Sequence, residues 1–142
     1  LAEFFATSPH VEKVIYPGLA DEEQTEIANR ILRKNYRGAV LGVRLKEDSR
    51  EMVYKFMNSL KLCTRAASVG DIFTGIVHPA TATHREMSAA KRARLGISEG
   101  LLRISAGIEE VEDMIADIQQ AFEKTDKVNH RFTQINTDEE RL

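Results

Sequence analysis

The 142-residue sequence contains no tryptophan, one cysteine, three prolines and no strong excess of either charge. A lone cysteine, Cys63, closes no disulfide within the chain, and a cysteine-poor composition fits a reducing compartment. No apolar run approaches the roughly 20 residues that a membrane-spanning helix needs. No basic stretch followed by an apolar core opens the chain, as a secretory leader would. Cytoplasmic localisation is therefore expected. The formal charge of −2 gives no drive toward nucleic acid or an anionic membrane. The nucleophile elbow, the Walker loop and the Gly-rich dinucleotide fingerprint are also missing. His78 and His84 stand apart across a proline and a loop, without the close spacing of zinc ligands, so structural histidines are expected and no metal site.

What is present is an ordinary globular composition, 42% apolar and 30% charged, in a length that suits one domain with a real core. Proline and glycine punctuate it. Leu1 to Phe5 reads as helix interior without a cap, which is expected of a piece of a longer protein, and Ser8-Pro9 stops it. Val11 to Tyr16 forms a short strand, broken by Pro17-Gly18. Asp21 and Gln24 have capping-box spacing, and Ile27, Ala28, Ile31 and Leu32 mark one helical face. Ala39 to Leu45 alternates as a strand, and Asp48 is the expected cap of a helix carrying Met52, Val53, Phe56, Met57 and Leu60 on one stripe.

Two extended segments, Leu62 to Val69 and Ile72 to Val77, follow with Gly70-Asp71 as the turn between them. Ser88 caps a short helix that Gly96 ends. Leu101 to Gly107 is a strand, and a last helix runs from about Glu109 to Phe122. Beyond Lys124 the apolar period is lost, so residues 124–142 are expected to be a mobile polar tail. The fold class is α+β, a two-layer sandwich with helices on one face of the sheet.

Arg103 lies inside Leu-Leu-Arg-Ile-Ser-Ala-Gly, on the strand face of Leu101 and Ser105 and opposite Leu102 and Ile104. A guanidinium there must find an anion, since an unpaired buried charge is costly. Its planar fork suits a carboxylate or phosphate. An internal ion pair or an edge-strand arginine reaching water would satisfy it equally well. Ser68-Val69-Gly70 taken alone is a turn after a strand. Arg85, Lys91, Arg92 and Arg94 form a basic cluster without interleaved aromatics, which suits a solvated face or an interdomain contact rather than nucleic acid.

Several motifs occur in a fixed order: Val11-Glu-Lys-Val-Ile-Tyr-Pro-Gly-Leu19, Ser68-Val-Gly, His78-Pro-Ala-Thr-Ala-Thr-His84, Gly96-Ile-Ser-Glu-Gly-Leu-Leu-Arg-Ile-Ser-Ala-Gly-Ile-Glu109 and Val111-Glu-Asp-Met-Ile-Ala-Asp117. Together they resemble the C-terminal domain of the Cys/Met-metabolism pyridoxal-phosphate enzymes, which include cystathionine lyases and synthases, methionine γ-lyase and O-acylhomoserine sulfhydrylases. The resemblance covers residues 1–123. It implies the small domain of an aspartate-aminotransferase-like (fold type I) enzyme, with a mainly antiparallel sheet and helices on one side.

It also implies that Arg103 grips the substrate α-carboxylate. Ser68 would be the catalytic-site serine beside the cofactor-bearing lysine, Val69 would continue the same wall, and Thr83 would lie near the carboxylate pocket. The cofactor, pyridoxal phosphate, would be held by a large N-terminal domain that precedes Leu1. The chain would then be a fragment that binds no cofactor and is inactive alone, from a parent homotetramer acting on small amino acids in sulfur amino-acid metabolism. Gly70-Asp71 leans toward the sulfhydrylases and Ser68 away from them, which leaves elimination against replacement open. Two readings from other classes are a standalone amino-acid sensor using Arg103 and an oligomerisation module without catalysis.

Overall fold

The computed structural model describes residues 1–19, 22–33 and 36–139, with side chains through Lys127. Strands β1 (Val11–Ile15), β2 (Val40–Leu45), β3 (Thr64–Arg65), β4 (Gly75–Val77) and β5 (Leu101–Ser105) form one sheet in the order β1-β2-β5-β4-β3. The helices are α1 (Ala2–Thr7), α2 (Glu22–Ile31), α3 (Arg50–Ser59), α4 (Ala89–Arg94) and α5 (Val111–Glu139). All strand pairs are antiparallel except β3 with β4. The α+β class agrees with the pattern of the sequence, and the mainly antiparallel sheet with what the family resemblance implied.

Alternation along β2 and β5 decides which face is the core. Leu41 pairs with Ile104 and Val43 with Leu102, and these side chains are buried. Against them pack Val53 and Phe56 of α3 and Ile118 and Phe122 of α5. Full burial of each such side chain contributes about 1.5–3 kcal/mol. Phe122 stacks on Phe56 on one side and on His10 on the other, each at 4.4 Å between ring centroids. The stack ties both helices to the turn before β1.

Several boundaries differ from the sequence expectation. The cap of α3 is Ser49, whose hydroxyl accepts from Met52 N at 3.1 Å. Asp48 instead accepts from the backbone N–H of Gly100. A Cβ at Gly100 would lie 2.8 Å from the Asp48 carboxylate, so the close approach requires glycine there. In α2 only Ala28 is buried, and Ile31 is 74% exposed. Asp21 lies outside the described residues. In β1 an irregularity between Val11 and Lys13 buries Val11 and Val14, where strict alternation would separate them.

The two extended segments around Gly70 shrink to β3 and β4, which run parallel and form no hairpin. Side chains take the backbone groups that a ladder would have used. Asp117 of α5 accepts from the amides of Lys61, Leu62 and Cys63 at 2.8, 2.9 and 2.8 Å. Glu109 accepts from Thr74 N at 2.6 Å, and Ser105 Oγ accepts from Gly70 N at 3.1 Å.

Helix α4 begins at Ser88, which accepts from Lys91 N, and ends at Gly96 as expected. Gly96 N–H reaches Ala93 O and Ile97 N–H reaches Arg92 O, the paired bonds of a Schellman motif, with Gly96 at φ +72. Helix α5 passes the expected end near Phe122 and continues to Glu139. Loss of the apolar period does not end the helix, since no glycine or proline interrupts residues 109–142. Thr125, past the expected end, is buried.

Candidate functional site

Arg103 is central in the sheet. β5 has β2 on one side and β4 on the other, so the edge-strand alternative does not apply. Its cross-strand partners are Gly42 and Val77. Neighbouring residues Leu102 and Ile104 point into the core, which turns the guanidinium onto the opposite face. Among the described residues no carboxylate pairs with it. Its Nη2 donates to the carbonyl of Ala67 at 2.6 Å and approaches that of Ser68 at 3.4 Å, while its Nε is buried without a hydrogen-bond partner.

The loop carrying Ser68 and Val69 is thereby laid across β5. Arg103 holds its first half and Ser105 holds Gly70. Ser68 and Val69 are exposed, Val69 by 58%, so both side chains are available beside the arginine. Thr83 is exposed on the turns that follow β4, and its hydroxyl bonds His84 Nδ1 at 2.8 Å. Arg103 and the Ser68 loop are thus brought together directly, whereas the recorded contact of Thr83 goes to His84.

The turns that carry Thr83 are anchored by His78, which is buried. Its Nε2 lies 2.9 Å from the Glu99 carbonyl, which can only accept, so Nε2 carries the proton. Nδ1 then accepts from the Thr81 hydroxyl at 2.8 Å, and Thr81 accepts from Tyr54 OH at 2.7 Å. Burial pushes the imidazole below its ordinary pKa, so it is neutral at pH 7. His78 thus has a structural role, while His84 Nδ1 bonds the Thr83 hydroxyl.

Arg92 departs from the solvated basic face expected of it. Its side chain is 12% exposed, and it donates to Met87 O and to the Glu99 carboxylate, which also pairs with Arg50. Burial raises the Glu99 pKa, but the bonds from Arg50 and Arg92 outweigh it and hold the carboxyl below its usual range.

Asp117 and Glu109 are the acidic residues whose roles the sequence did not disclose. Burial would raise Asp117, yet the N–H groups of Cys63, Lys61 and Leu62 hold it lower. Glu109 is likewise raised by burial and lowered further by Thr74. The signal available was position: Asp117 closes the last quoted motif, and Ser105 shares the strand face of Arg103.

Pyridoxal phosphate needs an enclosed lysine and a phosphate cradle. The described lysines are exposed or, for Lys55, paired with Glu51, and none is enclosed beside Arg103. The described residues around Arg103 therefore do not fit the cofactor. Among the described residues no helix is long and apolar enough to cross a membrane.

The fold and site thus define an α+β domain whose central arginine faces outward beside a serine loop, with no carboxylate partner among the described residues. The family model for Cys/Met metabolism PLP-dependent enzymes matches residues 1–123, and the chain belongs to that family. It is 42% identical over 121 residues to L-methionine gamma-lyase of Pseudomonas putida, covering 85% of this chain and 30% of the relative. It is 40% identical to cystathionine gamma-lyase of Dictyostelium discoideum over 124 residues, covering 87% of this chain and 31% of the relative. The solved cystathionine gamma synthase of Xanthomonas oryzae pv. oryzae superposes with a TM-score of 0.79 at 36% identity, over 89% of this chain and 32% of that one. The chain therefore spans about 30% of the length of the methionine lyase it matches.

Proposed function

We propose that this chain supplies the substrate-carboxylate side of a pyridoxal-phosphate-dependent lyase or transferase of sulfur amino acids. The observation that carries the reading is Arg103: central in the sheet, turned away from the core and without a carboxylate partner among the described residues. A substrate α-carboxylate supplies the anion that the fold withholds. Charge-assisted bonds from the guanidinium fix the orientation of the amino acid, which is catalysis by positioning. Ser68 stands beside the cofactor-bearing lysine, Val69 continues the same wall, and Thr83 lies near the carboxylate pocket. When bound, the cofactor supplies stabilisation of the substrate carbanion. In this reading the residues that hold it, and the large domain carrying them, belong to a part of the protein outside this chain, and the whole enzyme is a homo-oligomer.

The test has two arms. The intact protein should release a keto acid or a thiol from methionine, cystathionine or an acylated homoserine, with Arg103→Ala raising KM strongly. The 142-residue chain alone, mixed with pyridoxal phosphate and treated with borohydride, should carry no stoichiometric adduct on a single lysine. An adduct of that kind, or wild-type kinetics in Arg103→Ala, overturns the reading.

A further inference from the structure

Helix α5 runs past the residues that the family model matches, which end at 123. Ile118, Ala121, Thr125, Val128, Phe132 and Ile135 recur along it at alternating intervals of three and four. That spacing is the seam of a coiled coil. Ile118, Ala121 and Thr125 are buried in the domain. Sparse as apolar residues are past Lys124, the helix sets Val128, Phe132 and Ile135 in phase with that buried face.

Asp126 lies 3.7 Å from His10, and residues 126–139 carry the helix on for about 20 Å at about 1.5 Å per residue. A helical stretch of this length is marginal in water by itself and gains stability from packing along an apolar face. Lys124, Arg131 and Asp138 recur at intervals of seven and share one flank of the seam. Charge changes sign along the stretch. Lys124, Lys127 and Arg131 stand in its first half against Asp126, and Asp138, Glu139 and Glu140 in its second against Arg141.

We propose that this part of α5 pairs with the same segment of a second copy of the chain, antiparallel, along the seam of Val128, Phe132 and Ile135. In that orientation the basic half of one helix runs beside the acidic half of the other. Lys124 then stands at the level of Asp138 of the second copy, and Val128 at the level of its Phe132. A parallel pair would set like charges side by side, which destabilises. The surface lies outside residues 1–123 and is independent of the role of Arg103.

Sedimentation equilibrium of the 142-residue chain across a wide range of concentration tests this. The wild type should associate reversibly into dimers. Phe132→Ser should weaken the dimer about a hundredfold, since each copy loses an apolar side chain from the seam. Asp138→Lys should weaken it about fivefold at low salt and less at high salt. The double variant Lys124→Glu with Asp138→Lys restores opposite charges only in an antiparallel pair, and should return the dimer close to wild-type strength. Thermal melts of the variants control for folding of the core. A monomeric wild type, or association that Phe132→Ser leaves intact, overturns the interface. A double variant no tighter than Asp138→Lys overturns the antiparallel pairing.

Discussion

Arg103 Nη2 donates to the carbonyl of Ala67 at 2.6 Å, so the arginine proposed to hold the substrate also holds the loop on which Ser68 stands. The two halves of the candidate site are one mechanical unit. A change at residue 103 moves the anion site and the serine loop together.

The first expectation concerns the intact enzyme. Arg103→Ala should lower kcat/KM roughly 30- to 1000-fold, since a lost charge-assisted contact is worth about 2–4 kcal/mol. Arg103→Lys should recover part of this, because an ammonium lacks the planar fork. Cofactor absorbance should persist in both variants. Steady-state kinetics beside an absorbance spectrum provides the check.

Ser105 offers a way to separate the two halves. Ser105→Ala removes the acceptor for Gly70 N–H and leaves Arg103 in place. Amide exchange at Gly70 should accelerate, with exchange in the core strand β5 nearly unchanged. Hydrogen exchange read by mass spectrometry on loop peptides would detect this. Unchanged exchange would mean that Arg103 alone holds the loop.

Asp117→Asn should cost about 2–4 kcal/mol in urea unfolding, because its carboxylate accepts three consecutive backbone N–H groups and an amide turns a donor toward them. The folded-state pKa of Asp117 is depressed. Its stabilisation is therefore complete above the ordinary carboxylate range and is lost as pH falls through the lower folded value. Glu99 and Glu109 act in the same direction. Urea midpoints measured from pH 7 down to about 3 should fall, and fall less steeply in the Asn variant.

His78 acts at higher pH. Its folded pKa lies below the ordinary value of 6.5. The unfolded chain therefore binds the proton first, and stability should begin to drop as pH falls below about 6.5. Replacing His78 with Phe should remove this part of the pH profile while lowering stability at pH 8, since Thr81 and Glu99 lose their partner. Thermal melts at pH 8 and pH 5.5 would resolve the two effects.

Cys63 is buried, and its thiol is pushed up to about 12 by burial first and by Asp117 next. The thiolate is the reactive form. A disulfide reagent at pH 8 should therefore leave the native chain unmodified and label one thiol in urea. Rapid labelling of the folded chain would contradict the burial.

The sequence by itself determined strands β1, β2 and β5, the core stripe of α3 and the strand face on which Arg103 lies, because side-chain periodicity is a local property. It also determined the family, through several motifs kept in order. The short-range signals at Ser88 and Gly96 were legible for the same reason, since each acts within a turn or two of its own position.

Only the tertiary structure decided what Asp48, Ser105, Glu109 and Asp117 do, because their backbone partners lie 35 to 56 residues away. Those contacts convert the expected hairpin into a crossing loop and set it on Arg103. The pairing of Arg103 with Gly42 likewise depends on the β2–β5 register. Register is fixed by the packing of two distant strands against one core, and no local pattern encodes it.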